Sequence, residues 1–104
     1  MPKVIYVGAA DYEVKRKRPS EMDRDRLLGE TVTNETTILI NREQSLSSLQ
    51  NTLLHETLHA IFWSSGFNRK MTMEKEEPLV QMLAPWILGV LRDNPKLVKF
   101  LLEK

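Results

Sequence analysis

The segment that most limits what this chain can fold into is SLSSLQNTLLHETLHAIFWSSG, which ends at Gly66. Ser47 followed by Gln50 has the pattern of a capping box, and Gly66 is a natural helix stop. Between them Leu49, Leu53, Leu54, Leu58, Ala60, Ile61, Phe62 and Trp63 occupy nearly every face of a helix. A helix that is apolar all round belongs in a core. Yet this one carries both histidines of the chain, His55 and His59, and Glu56 beside the first. Burying three such groups without partners costs several kcal/mol, so they need a common purpose.

The expected purpose is a metal site, against the plainer reading of two core histidines satisfied by backbone or carboxylate partners. His55, Glu56 and His59 form H-E-x-x-H, and residues i and i+4 share one helix face. Two imidazoles on adjacent turns can reach one ion, and nitrogen donors with a carboxylate suit catalytic zinc. Glu56 points about 100° away from His55, so it can lie beside the ion and act as a general base toward water. Two histidines scattered at random fall at i,i+4 about once in fifty chains of this length. A following glutamate reduces that roughly tenfold, and motif matches always carry false positives. With no cysteine and no third histidine, the third ligand must be Asp or Glu. After the helix the candidates are Glu74, Glu76, Glu77 and Asp93. Glu76 shares a face with Leu79, Val80 and Leu83 and is the expected ligand. Glu77, on a more mixed face, is the alternative. The plainer reading of this acidic cluster is stabilisation of a helix N-terminus.

The rest of the chain frames that helix. Lys3–Val7 and Tyr12–Lys17 read as strands joined by a turn at Gly8–Asp11. The basic run Lys15–Pro19 reads as a solvated edge strand rather than a polyanion patch. Ser20–Leu27 is polar and reads as either a loop or one helical turn. Leu28–Val32 and Thr36–Asn41 form a second hairpin. Asn68–Glu77 reads as a polar connection and Pro78–Leu91 as a second long helix, with Pro78 in its first turn and Pro85 a kink. Asn94 and Pro95 start a short closing helix. The expected class is therefore α+β, in one domain spanning residues 1–104.

At 104 residues the stability margin is thin, and a bound metal would widen it. A net charge of +1 argues against nucleic acid or an anionic membrane as partner. No apolar run is long enough for a membrane span, no signal peptide is read, and the lack of cysteine fits a cytoplasmic location.

The order TILIN, LSSLQNTLLHETLHAI and EKEEPLVQMLAPWI, with LRDNPKLVKFLL after it, resembles the small phage and prophage gluzincins of the ImmA/IrrE-like kind. The resemblance covers Gly29 to Leu102. It implies a minimal zincin-like domain: N-terminal antiparallel hairpins, the H-E-x-x-H helix, a second long helix and a short C-terminal one. It also implies a zinc-dependent metallopeptidase with His55, His59 and Glu76 as ligands and Glu56 as catalytic base. Its substrate would be a peptide or protein bound as an extended strand along TILIN. A reading from a different class is a non-catalytic, zinc-stabilised protein-binding module such as an antirepressor. Glu56 discriminates the two, because a structural site needs no base.

Overall fold

A computed structural model of the chain describes residues 1–22 and 27–104. It is an α+β structure in which a four-stranded sheet precedes three helices. The strands are β1 (Val4–Val7), β2 (Ala10–Lys17), β3 (Gly29–Val32) and β4 (Thr37–Asn41). The helices are α1 (Leu46–Ser65), α2 (Met73–Asp93) and α3 (Pro95–Leu102). Of the polar stretch after β2, Pro19–Glu21 forms a single 3₁₀ turn, and residues 23–26 lie outside the described residues.

The sheet order is β1-β2-β4-β3. β1 and β2 are an antiparallel hairpin turning at Gly8, whose φ of 60° is the left-handed value that two-residue hairpin turns ask of glycine. β3 and β4 form the second antiparallel hairpin, and β4 then lies parallel to β2. Two expectations change as a result. β2 is paired on both sides, so the basic run is not on an edge strand; Lys15 and Arg16 are exposed on an interior strand. β4, the TILIN strand, is also paired on both sides and has no free edge to offer a substrate. Its hydrophobicity reflects that central place, with Ile38 and Ile40 fully buried. The edge strands are β1 and β3.

One face of the sheet packs on α1. Tyr12, Val14, Ile38 and Ile40 point into that layer with Val7, and they meet Ala60, Leu49 and Leu53. Register places Thr31 beside Ile38 and Gly29 beside Ile40, so these two β3 residues face α1 as well. A side-chain staple fixes the approach. Gln44 Nε2 donates to the Leu28 and Asn41 carbonyls, and its Oε1 accepts from Ser48 and Thr52 of α1.

α1 starts two residues before the capping box suggested. Ser45 is the N-cap, accepting from the Ser48 amide at 3.2 Å, and Gly66 ends the helix at φ 79° as expected. Nor is α1 buried on every side. Its buried residues are Thr52, Glu56, His59 and Ala60, whereas Leu46, Ile61 and Trp63 are exposed. The expected polar connection shortens too, because Met73–Glu77 is already the first turn and a half of α2, capped at Thr72. Met, Glu and Lys are strong helix formers, so that stretch needs no apolar stripe to be helical. Pro78 and Pro85 both sit inside the helix. α3 begins as expected at Pro95 behind Asn94. Among the described residues, no helix is long and apolar enough to cross a membrane.

Candidate metal centre

The centre forms where α1 meets α2 and the end of β3. α2 lays a stripe of Glu76, Val80 and Ala84 against α1; all three are buried, and they recur at the i+4 spacing of one helix face. Glu77, one residue on, is turned about 100° toward the open side of that contact and is half-buried.

Three side chains converge there. His55 Nε2 and His59 Nε2 stand 3.3 Å apart. The Glu77 carboxylate faces both, with Oε1 2.8 Å from His55 and Oε2 2.8 Å from His59. His55, His59 and Glu77 thus form a group that can hold a metal ion, all donor atoms lying within 4.8 Å of one another. The donor chemistry fits. Two nitrogens each about 2.0–2.1 Å from one tetrahedral ion lie about 3.3 Å apart, which is the separation the imidazoles already have.

Glu76, the expected third ligand, is brought to His59 but to the other side of the ring. Its Oε2 is 2.6 Å from His59 Nδ1. The same position on the packing face that recommended Glu76 carries it behind the imidazole and away from the point where the Nε2 atoms meet. Glu77, the alternative, takes the place expected of Glu76. Glu74 is exposed in the first turn of α2, and Asp93 is exposed at its far end.

Glu56 lies beside this group. Its Oε2 is 3.9 Å from His55 Nε2, longer than the tetrahedral edge of about 3.3 Å, so it stands next to the donors rather than among them. The Thr31 hydroxyl donates to Glu56 Oε1 at 2.8 Å and lies 3.0 Å from the Glu56 main-chain oxygen. One oxygen is thereby anchored to β3, and the other is left toward the imidazoles. Burial pushes the Glu56 carboxyl above its ordinary value; the Thr31 hydroxyl and the two histidines oppose that rise, and the Glu77 charge adds to it. Gly29 makes room for this carboxylate. A Cβ there would meet Thr52 Cγ2 at 2.7 Å, Glu56 Cγ at 3.1 Å and Glu56 Oε2 at 3.3 Å.

A cleft of about 1010 Å³ opens over the centre. Leu28–Thr31 of the β3 edge form one wall, and Trp63, Met71 and Met73 supply apolar surface along the rim. Thr31 and Gly29 were not singled out from the sequence. Their signal was available only as the i, i+2 spacing of one strand face, which has no meaning until β3 is known to flank α1. Comparison with family models, with curated proteins and with solved structures found no match.

Proposed function

We propose that this chain is a zinc-dependent metallopeptidase in which His55, His59 and Glu77 hold the ion and Glu56 is the general base. The observation that carries the proposal is the state of Glu56: a buried carboxylate with one oxygen tethered by Thr31 and the other beside the donor group. A site that only stabilises a fold has no use for a carboxylate that neither holds the ion nor hydrogen-bonds a ligand ring, and Glu56 does neither.

Zinc in such a site supplies positive charge that makes water acidic near neutrality and a carbonyl carbon electrophilic. The chain supplies the rest. Glu56 Oε2 takes the proton from the attacking water, while the Thr31 bond keeps Oε1 from swinging away. The position of Oε2 beside the donor group suits Glu56 to hold that proton and then deliver it to the departing amine. The β3 edge replaces TILIN as the strand that pairs with an extended peptide, since it borders the cleft and β4 does not reach it with a free edge. Trp63, Met71 and Met73 favour a peptide with a large apolar side chain near the scissile bond. A cytoplasmic setting and a phage or prophage origin belong to the same reading, supported by the lack of cysteine and by the sequence resemblance.

The test is metal content together with cleavage of a peptide library. Wild type is expected to bind one zinc and cleave, and Glu56→Gln to bind zinc and not cleave. If the zinc-loaded wild type cleaves nothing, the binding-module reading replaces this one; if Glu56→Gln cleaves equally well, Glu56 is not the base and the proposed mechanism fails.

A further inference from the structure

The ligand set uses Glu77 and leaves its neighbour without a task. Glu76 is nevertheless the more buried of the two, at 3% exposure. A carboxylate so placed needs a partner, and the partner is His59 Nδ1 at 2.6 Å. With the Glu76 carboxylate as acceptor Nδ1 carries the hydrogen, which leaves Nε2 its lone pair for an ion shared with Glu77, whose Oε2 lies 2.8 Å away. A neutral imidazole without such a partner can place its hydrogen on either nitrogen, and only one choice leaves Nε2 able to bind an ion. The ring also needs an orientation, and a short bond from the opposite helix supplies it. His59 is itself buried, so no bulk water competes for Nδ1.

We infer that Glu76 is a positioning residue for the metal centre: it fixes the tautomer and the orientation of His59 so that Nε2 points at the ion held with His55 and Glu77. Two consecutive glutamates divide the work because they sit about 100° apart on α2, one in the helix contact behind the ring and one at the cleft in front of it. The inference rests on the metal-binding reading of His55, His59 and Glu77.

The test compares wild type with Glu76→Gln, Glu76→Ala and Glu77→Ala, each checked for native circular dichroism. Zinc affinity is measured by competition with a chelating dye. The His59 tautomer is read from long-range ¹⁵N–¹H spectra of the metal-free, imidazole-neutral protein in the Glu77→Ala background, because Glu77 Oε2 otherwise stands 2.8 Å from Nε2 and competes for the hydrogen. Glu77→Ala is expected to show hydrogen on Nδ1, and Glu76→Ala combined with Glu77→Ala to show both tautomers. With Glu77 intact, Glu76→Ala should weaken zinc binding about 10–100-fold, and Glu76→Gln should recover part of the affinity because its amide oxygen still accepts from Nδ1. Where Glu76→Ala does not fold, Glu76→Met takes its place, since it keeps the bulk and offers no acceptor: mixed tautomers with weaker binding support the inference, and values unchanged from those with Glu76 overturn it. Wild type that binds zinc alongside Glu76 variants that bind it equally well, with the tautomer unchanged, overturns the role of Glu76 and spares the metal site. Wild type that binds no zinc overturns both.

Discussion

Replacing Gly29 with alanine tests the contact that holds the Glu56 carboxylate in place, and its cost can be worked from the structure. The added methyl would lie 2.7 Å from Thr52 Cγ2, where carbon atoms prefer about 3.5–4.0 Å. Thr52 cannot simply turn away. It is β-branched and within a helix, and its hydroxyl is committed to Gln44 Oε1 at 3.0 Å. Glu56 Cγ stands on the other side at 3.1 Å. The relief available is for β3 to back away from α1 by about 1 Å, which also stretches the Thr31–Glu56 bond beyond hydrogen-bond range. Overpacking of this kind costs about 1–3 kcal/mol, and a lost bond to a charged group about 1.5–3 kcal/mol. The smaller unfolded-state entropy of alanine returns about 0.5–1 kcal/mol. A net loss of about 1.5–5.5 kcal/mol should lower the melting temperature by roughly 6–40 °C in a domain of this size. Thermal melts followed by circular dichroism measure it. Gly89→Ala is the control, since a Cβ at that α2 position meets nothing within 4 Å and alanine should stabilise the helix by up to about 1 kcal/mol. If Gly29→Ala melts within a few degrees of wild type, β3 is not clamped on α1 and the account of Glu56 loses its anchor.

Three further outcomes are expected. In the metal-free protein Glu56→Gln should be more stable than wild type at neutral pH. A carboxyl whose folded value is raised favours the fold below its unfolded value of 4.5 and loses that contribution as pH rises through the folded value, so the advantage of Gln should vanish in acid melts. Removing zinc with a chelator should lower the melting temperature; an ion at one hundred times its dissociation constant contributes about 2.7 kcal/mol, and differential scanning fluorimetry with and without zinc reads the shift. Gln44→Ala should cost about 1–3 kcal/mol and, under the proposed function, reduce peptide cleavage while leaving zinc affinity nearly unchanged, because it loosens Leu28–Thr31 and touches none of His55, His59 and Glu77.

The sequence made α1 and its two imidazoles legible because helical spacing alone puts His55 and His59 on one face. The hairpins were legible for the same local reason: apolar alternation broken by Gly8 and by Thr33–Glu35. What could not be read were relations between elements. β4 is the most apolar strand because it is central, and centrality follows from the parallel pairing with β2, which no local pattern states. The glutamates show the same limit in miniature. Periodicity put Glu76 on the packing face of α2, and the structure agrees. Which nitrogen of His59 that face meets depends on how α2 crosses α1, so Glu76 meets Nδ1 and the group that can hold an ion contains Glu77 instead. The start of α2 was missed because Met73–Glu77 is helical through backbone propensity, with no amphipathic signature and no side-chain cap from Thr72.

His55, His59 and Glu77 lie within one helix–turn–helix stretch, whereas Thr31 and Gly29 reach Glu56 from β3. The two closures span similar lengths of chain, 18 residues from His59 to Glu77 and 25 from Thr31 to Glu56, so neither has an appreciable entropic lead. What joins them is α1 itself. The same helix presents two imidazoles to α2 and a carboxylate to β3, so any displacement of α1 disturbs the donor group and the tethered carboxylate together.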